Sequence, residues 1–75
     1  MADLYLLGIR RLAKKGGVNK ISRDALEFLR DITEKIVIEI SKRASESSKI
    51  KNKKIVEKED IKEALKSLNM DSLLS

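Results

Sequence analysis

The sequence predicts an all-α protein built from a short helix, a long central helix and a second short helix. A glycine pair, Gly16-Gly17, interrupts the first helical pattern, and residues 23–49 then contain neither glycine nor proline. A polar, lysine-rich break at residues 49–54 precedes another stretch of helical apolar spacing. With 75 residues the chain is at most one domain, close to the size at which a single chain buries too little surface to fold alone.

Helix one is predicted to begin after Asp3 and to run to about Lys15. Aspartate is a favoured N-cap because its carboxylate accepts a bond from a free backbone N–H group. Gly16-Gly17 should end the helix, since glycine adopts the left-handed conformation of a helix C-terminus without steric cost. The apolar stripe of this helix is expected at Leu4, Leu7 or Ile9, and Leu12.

Helix two is predicted over about residues 23–49, with Ser22 as its N-cap. Apolar residues recur at spacings of three and four, at Ala25, Leu29, Ile32, Ile36, Ile40 and Ala44, and Leu26, Phe28, Val37 and Ile38 widen the stripe. The two short helices cannot cover so long a stripe, so a second chain is expected to complete the core. The predicted dimer core comprises Leu29, Ile32, Ile36, Ile40 and Leu65.

Helix three is predicted from about Lys58 to Leu68, with Asn69 at its C-terminal end. Its apolar positions are Ile61, Ala64, Leu65 and Leu68. Residues 1–68 then form one domain, and residues 69–75 form a short C-terminal extension. Met70, Leu73 and Leu74 keep near-helical spacing, so we expect the extension to be helical and to contribute to oligomerisation.

Positive charge is concentrated in two segments. The first basic segment, residues 9–23, contains six cationic residues and no acidic one, and the second basic segment, residues 49–54, contains four lysines. The remaining seven basic residues are outnumbered by twelve acidic ones. Antiparallel crossing of two long helices would bring both kinds of segment together along one edge. Such segregation is typical of a surface that binds a polyanion, although a lysine run alone is as often a solvated face.

The residue types argue against an enzyme. Histidine and cysteine are absent, which removes the usual metal ligands, proton shuttle and thiol nucleophile. Glu57, Glu59 and Asp60 are explained by the preference for acidic residues in the first turn of a helix. We therefore predict no cofactor, no metal site and no small-molecule substrate. No membrane-spanning stretch or signal sequence is evident, so we expect no membrane partner and a cytoplasmic location.

The segment IRRLAKKGGVNKIS, residues 9–22, resembles helix one and loop one of the eukaryotic core histone four. The overall plan is similar to that of archaeal histones, with KNKKIVEKEDIKEAL in place of the family's arginine-lysine-threonine segment, so that the resemblance covers about residues 8–68. It implies a histone fold, formed as an intertwined handshake dimer. It also implies binding of double-stranded DNA with little sequence preference, compaction of chromosomal DNA, and association with the nucleoid.

Charge segregation and the resemblance together give an expected set of DNA-binding residues: Arg10, Arg11, Lys14, Lys20, Arg23, Lys51, Lys53 and Lys54. By resemblance, Lys53 and Asp60 form a loop-two clamp, although an ordinary surface ion pair is the alternative. Lysine replaces the family's arginine at Lys20 and Lys53, and Ile55 replaces a threonine. These departures predict weaker, more purely electrostatic contact, because lysine lacks arginine's planar fork of donors.

The contact between dimers also departs from the family. Ser47, Ile50 and Glu63 occupy positions where the family usually has leucine, histidine and leucine. Burying Glu63 beside its symmetry mate is unfavourable unless the charge is paired, and Lys66 or Lys49 is the expected partner. The dimer–dimer interface candidates are therefore Ser47, Ile50, Glu63, Met70, Leu73 and Leu74, with tetramers as the expected product.

Two other functions stay open at this point. The chain could be a histone-fold component of a transcription-factor-like complex that pairs with a different histone-fold chain. It could also be a DNA-binding histone that forms an obligate heterodimer with another histone.

Overall fold

A computed structural model describes residues 2–74, with side chains described from Tyr5 onward. Helix α1 spans Ala2–Lys15, α2 spans Arg23–Ile50 and α3 spans Lys58–Ser67, and a single 3-10 turn follows at Asp71–Leu74. The three-helix plan predicted from the sequence is confirmed, and no strand occurs between residues 2 and 74. We call residues 16–22 loop one and residues 51–57 loop two.

All three helices end in the same way. Gly17, Asn52 and Asn69 adopt left-handed φ angles of 97°, 62° and 59°. Each donates its N–H to the carbonyl three residues earlier, and the next residue donates to the carbonyl five residues earlier, at N–O distances of 2.7–3.0 Å. These paired bonds satisfy carbonyls that the last helical turn leaves open. The predicted stops at Gly16-Gly17 and Asn69 are therefore confirmed.

The helix starts agree less uniformly with the sequence. Ser22 Oγ accepts a bond from the Ala25 N–H at 3.1 Å, as expected of an N-cap. The prediction for Asp3 is wrong, because α1 begins at Ala2 and Asp3 belongs to its first turn. The side chain of Leu4, the first residue of the predicted stripe, lies outside the described residues.

The chain divides into two compact units, one ending at Lys35 and the other beginning at Ile36. The core of the first unit consists of Leu6, Ile9 and Leu26, with Ile21 packed against them. In the predicted stripe, the alternative Ile9 is confirmed as buried, whereas Leu7 and Leu12 are wrong, since their side chains are 51% and 60% exposed. Leu6 and Ile9 are three residues apart and so share one helix face, which packs against Leu26.

In the second unit, Ala44, Ala64 and Leu65 are the buried apolar residues, and Ser48 and Asp60 are buried with them. Leu65, a predicted dimer-core residue, is thus already buried by its own chain. Among the other predicted dimer-core residues, Leu29, Ile32 and Ile36 are 36–39% exposed, and Ile40 is half-buried. The single chain therefore leaves most of the α2 stripe accessible to solvent.

No helix formed by residues 2–74 is both long enough and apolar enough to cross a membrane.

Candidate nucleic-acid interface

The first basic segment presents its charges to solvent. Arg10, Arg11 and Lys14 lie on the last turns of α1, Lys20 lies in loop one, and Arg23 is the first residue of α2; all five are exposed. Arg23 pairs with Glu27 one helical turn later, at 3.1 Å. Among the side chains described from Tyr5 to Leu74, no carboxylate forms an ion pair with the other four cations.

Local structure explains why these cations are exposed and form no ion pairs among the described residues. Lys14 lies in the last turn of α1, where the partial negative charge of the helix C-terminus stabilises a cation. Gly17 then ends the helical segment with a left-handed φ, and Ser22 starts α2 with a satisfied cap. Loop one is therefore held by backbone and hydroxyl bonds at its two ends, and its single charged side chain, Lys20, is not needed to hold it.

The second basic segment is arranged differently. Lys51 Nζ lies 2.8 Å from Glu63 Oε1 and 3.3 Å from Asp60 Oδ1. Lys53 Nζ lies 2.7 Å from Asp60 Oδ2 and 2.8 Å from Glu57 Oε1. Two of the four lysines of this segment are therefore paired with carboxylates at the start of α3. Lys49 and Lys54 are exposed and form no ion pair within the described chain.

Asp60 is the centre of these contacts, and its side chain is fully buried. Its carboxylate also accepts bonds from Ser47 Oγ at 3.2 Å and from the Glu57 N–H at 2.8 Å. The bond from Lys53, followed by the backbone bond from Glu57, holds the pKa of Asp60 well below its usual range. Lys53 and Asp60 are in contact, as the clamp expectation requires. The pair differs from an ordinary surface ion pair in that the carboxylate of Asp60 is fully buried.

Glu63 is paired within its own chain, through Lys51 and not through Lys66 or Lys49 as expected. Its other carboxylate oxygen accepts a bond from Ser47 Oγ at 2.6 Å. These two bonds, that from Lys51 first, lower the pKa of Glu63. Sequence spacing offered no cue to this pairing, since Lys51 and Glu63 are twelve residues apart and belong to different elements.

Ser48 is a structural residue that the sequence analysis missed. Its buried hydroxyl faces two carbonyls of loop two, Ile55 O at 3.2 Å and Lys53 O at 3.4 Å. One hydroxyl proton serves both acceptors, so the Ile55 bond is the principal one. The available signal was the four-residue spacing from the fully buried Ala44, which places Ser48 on the inner face of α2.

The dimer–dimer candidates lie in varied surroundings. Ser47 is half-buried and engaged with Glu63, whereas Ile50 is 85% exposed. In the extension, Met70 is half-buried, and Leu73 and Leu74 are exposed. After the left-handed Asn69, the extension forms a short 3-10 helix at Asp71–Leu74.

Comparison with known proteins identifies the family of this chain. The family described as histone-like transcription factor (CBF/NF-Y) and archaeal histone matches residues 4–65. The chain is 36% identical over 66 residues to one of the subunits of the archaeal histone HAN1 from Thermococcus zilligii, and 32% identical over 66 residues to "Probable archaeal histone 3" of Methanocaldococcus jannaschii. Each alignment covers 88% of this chain and 98% of the relative. No solved structure gives a significant match. The chain therefore belongs to the family of histone-like transcription factors (CBF/NF-Y) and archaeal histones.

Proposed function

We propose that this chain is an architectural protein that binds duplex DNA largely independently of sequence and compacts chromosomal DNA as a histone-fold dimer. The observation that carries the proposal is the open first basic segment on a three-helix chain of this family. Both named relatives are archaeal histones, so the transcription-factor alternative is not favoured. The function is structural and not enzymatic, and it would be exercised on the chromosome.

A dimer is the form in which the chain would act. The accessible stripe of α2, including Leu29, Ile32 and Ile36, would be covered by the same stripe of a second chain. Antiparallel crossing of the two long helices would place loop one of one protomer beside loop two of the other. Sedimentation equilibrium of the purified chain tests this. A folded homodimer supports it, and a monomer that folds only with another histone would support the heterodimer.

The heterodimer keeps a specific argument in its favour. The relative from Thermococcus zilligii is named as one subunit of HAN1, so that protein is part of an assembly. If this chain also needs a different partner, the purified chain alone should bind DNA weakly, because the shared basic edge would be incomplete. Addition of a second histone-fold chain should then restore both folding and DNA binding.

The proposed DNA contacts are mainly with phosphate, from the predicted cations Arg10, Arg11, Lys14, Lys20, Arg23, Lys53 and Lys54. Lys20 would face the minor groove from loop one, and Lys53 and Lys54 would meet the backbone from loop two. Each neutralised phosphate contributes about −0.9 to the slope of log affinity against log salt. The double change Lys53→Ala and Lys54→Ala should therefore weaken binding to all duplexes alike, whereas a loss confined to one sequence would contradict this mode of binding.

The extension offers a surface for assembling dimers into tetramers. The family match ends at residue 65, and Met70, Leu73 and Leu74 lie beyond it. Removal of residues 70–75 should convert any tetramer into dimers while the dimer stays folded, as sedimentation velocity and circular dichroism would show. Tetramers that survive the truncation would assign the contact to another surface.

The first test of the proposed function is a gel-shift titration on several unrelated duplexes across a salt series. Similar affinity for every duplex, with a steep loss as salt rises, is the expected result. Binding to one duplex only, or no binding at low salt by a folded homodimer, would contradict the proposal.

A further inference from the structure

We propose that Lys51 is a positioning residue that holds loop two against α3, and that it does not contact DNA. This inference rests on the proposed function, because it divides the lysines of the second basic segment by role. One set would bind phosphate and the other would keep loop two in place. Three features support this role: the contacts of Lys51, the charge around it and the contrast with Lys54.

The contacts of Lys51 close a ring between two helices. Lys51 Nζ bonds to Glu63 Oε1 at 2.8 Å and to Asp60 Oδ1 at 3.3 Å. Ser47 Oγ bonds to Glu63 Oε2 at 2.6 Å and to Asp60 Oδ1 at 3.2 Å. Ser47 lies on α2 four residues before Lys51, and both carboxylates lie on α3, so the ring joins the end of α2 to the start of α3.

Ser47 and Lys51 each bridge Asp60 and Glu63, and Lys51 forms the stronger bridge. A serine hydroxyl has one proton, which it must divide between Asp60 and Glu63. The Lys51 ammonium has three donors and a positive charge, so it satisfies both carboxylates at once. Its bond to Glu63 is also the leading cause of the lowered pKa of Glu63.

The local charge discourages Lys51 from leaving. Five ionised side chains meet here, and the acidic ones are in the majority: Lys51 and Lys53 against Glu57, Asp60 and Glu63. Movement of Lys51 to a phosphate would leave Glu63 without its lysine and the fully buried Asp60 with Lys53 alone. Asp60 is the buried member of this cluster, so the loss of one of its two lysines is unfavourable because its charge stays desolvated.

Lys54 provides the matched contrast. It lies in the same loop and carries the same charge, but it is exposed and forms no ion pair with any described residue. A phosphate contact by Lys54 therefore breaks no ion pair among the described residues. The sequence alone treats the two lysines as equivalent, and the structure separates them.

The experiment compares Lys51→Gln and Lys54→Gln with the unchanged chain. Two quantities are measured for each: the slope of log affinity against log salt on one duplex, and the urea midpoint at fixed protein concentration. For K54Q we expect a slope shallower by about 0.9 for each phosphate that is no longer neutralised, or about 1.8 for a dimer, with an unchanged urea midpoint. For K51Q we expect an unchanged slope, a lower urea midpoint and weaker binding by a constant factor at every salt concentration.

Lys51→Arg serves as the rescue variant, because arginine keeps the charge and can bridge two carboxylates. Its urea midpoint should return close to that of the unchanged chain. Should K51Q fail to fold, Glu63→Gln replaces it, since it breaks the same bridge from the other side while leaving the lysine in place. E63Q should lower the urea midpoint with no change in slope.

Two results would overturn the assignment. One is a K51Q slope as shallow as that of K54Q with an unchanged urea midpoint, which would make Lys51 a phosphate contact. The other is a K51Q variant that matches the unchanged chain in both slope and urea midpoint, which would mean that Lys51 does not hold loop two against α3. If the unchanged chain binds no duplex, the proposed function fails, but the midpoints of K51Q and K51R still decide whether Lys51 holds loop two.

Discussion

The two basic segments differ in what their charges contact. In the first, Arg10, Arg11, Lys14 and Lys20 are exposed and form no ion pair among the described residues. In the second, two of the four lysines are bound to carboxylates of the same unit. The first segment is an exposed surface suited to binding phosphate. In the second, Lys51 and Lys53 instead connect loop two to α3.

The difference shows what a charge count leaves out. The second segment is the denser of the two in the sequence, with four lysines in six residues. Its three acidic partners at positions 57, 60 and 63 lie beyond it in the chain, and folding brings them back onto it. A cation already paired with a carboxylate has less to gain from a phosphate, so the open segment should dominate DNA affinity.

The most damaging single change to this arrangement should be Asp60→Asn. The substitution keeps the shape of the side chain but removes the buried charge that both Lys51 and Lys53 face. Two lysines would then remain beside a neutral group, and the start of α3 would lose a charged acceptor for the Glu57 N–H. We expect the urea midpoint to fall further than for any other variant in this series.

Glu59→Gln is the matched control for that change, because it removes one acidic charge from the same helix turn. Glu59 is exposed and pairs only loosely with Lys62, at 3.4 Å. The expected change in unfolding free energy is within about 0.5 kcal/mol. Equal losses for the two variants would show that the first turn of α3 needs negative charge in general, and not Asp60 in particular.

Acid should weaken the ion pairs of the second basic segment over a pH range that follows from the pKa values of their carboxylates. Asp60 and Glu63 both have pKa values lowered in the folded chain, from ordinary values of 3.8 and 4.5. Because the folded pKa lies below the unfolded one, the stabilisation is complete above about pH 4.5 and is lost as the pH falls through the lowered pKa values.

Urea midpoints measured between pH 7 and pH 3 would follow this loss. E63Q should show a shallower decline than the unchanged chain, since one of the two titrating groups is gone. A decline of the same steepness in both proteins would mean that Glu63 contributes nothing to the acid sensitivity.

Smaller effects than that of Asp60→Asn should come from the two glycines that follow α1. Gly17→Ala forces an alanine to a φ of 97°, and a Cβ there meets no atom within 4 Å, so the cost is in the backbone alone. A loss of roughly 1–2 kcal/mol is expected. Gly16→Ala is the control, because its Cβ would make only ordinary contacts and its φ is not in the left-handed region.

For Gly16→Ala we expect no loss, or a gain of up to about 1 kcal/mol from the reduced freedom of the unfolded chain. Thermal unfolding of both variants would measure the difference. An equal loss at the two positions would contradict the C-terminal motif assigned to Gly17.

Much of the fold was predictable because its signals are local. The cap at Ser22, the stop at Gly17 and the uninterrupted stretch of α2 are each read within a short window of the chain. The buried face of α1 could not be predicted in this way. Its apolar residues occur at positions 4, 6, 7, 9 and 12, and spacings of three and four fit more than one stripe. Only the packing of Leu26 selects Leu6 and Ile9.

The site was predictable in its charges but not in their pairing. Lys51 meets Glu63 and Asp60 across twelve and nine positions, and no local spacing rule links a helix end to the next helix through a loop. Resemblance supplied the Lys53–Asp60 contact but indicated no second lysine for the same carboxylate. The left-handed Asn52 was signalled only by its residue type, which tolerates that conformation better than other non-glycine residues do.

The most direct test of the difference between the two segments is a pair of salt titrations on one duplex. One variant carries Arg10→Gln, Arg11→Gln and Lys14→Gln, and the other carries Lys51→Gln and Lys53→Gln. The first should lower affinity steeply and flatten the slope by about 0.9 for each phosphate that is no longer neutralised, with its urea midpoint unchanged. The second should flatten the slope by no more than the contribution of Lys53, because Lys51 contacts no phosphate, and it should lower the urea midpoint. The reverse outcome, in which the second variant loses the slope and the first retains it, would contradict the division of roles between the two segments.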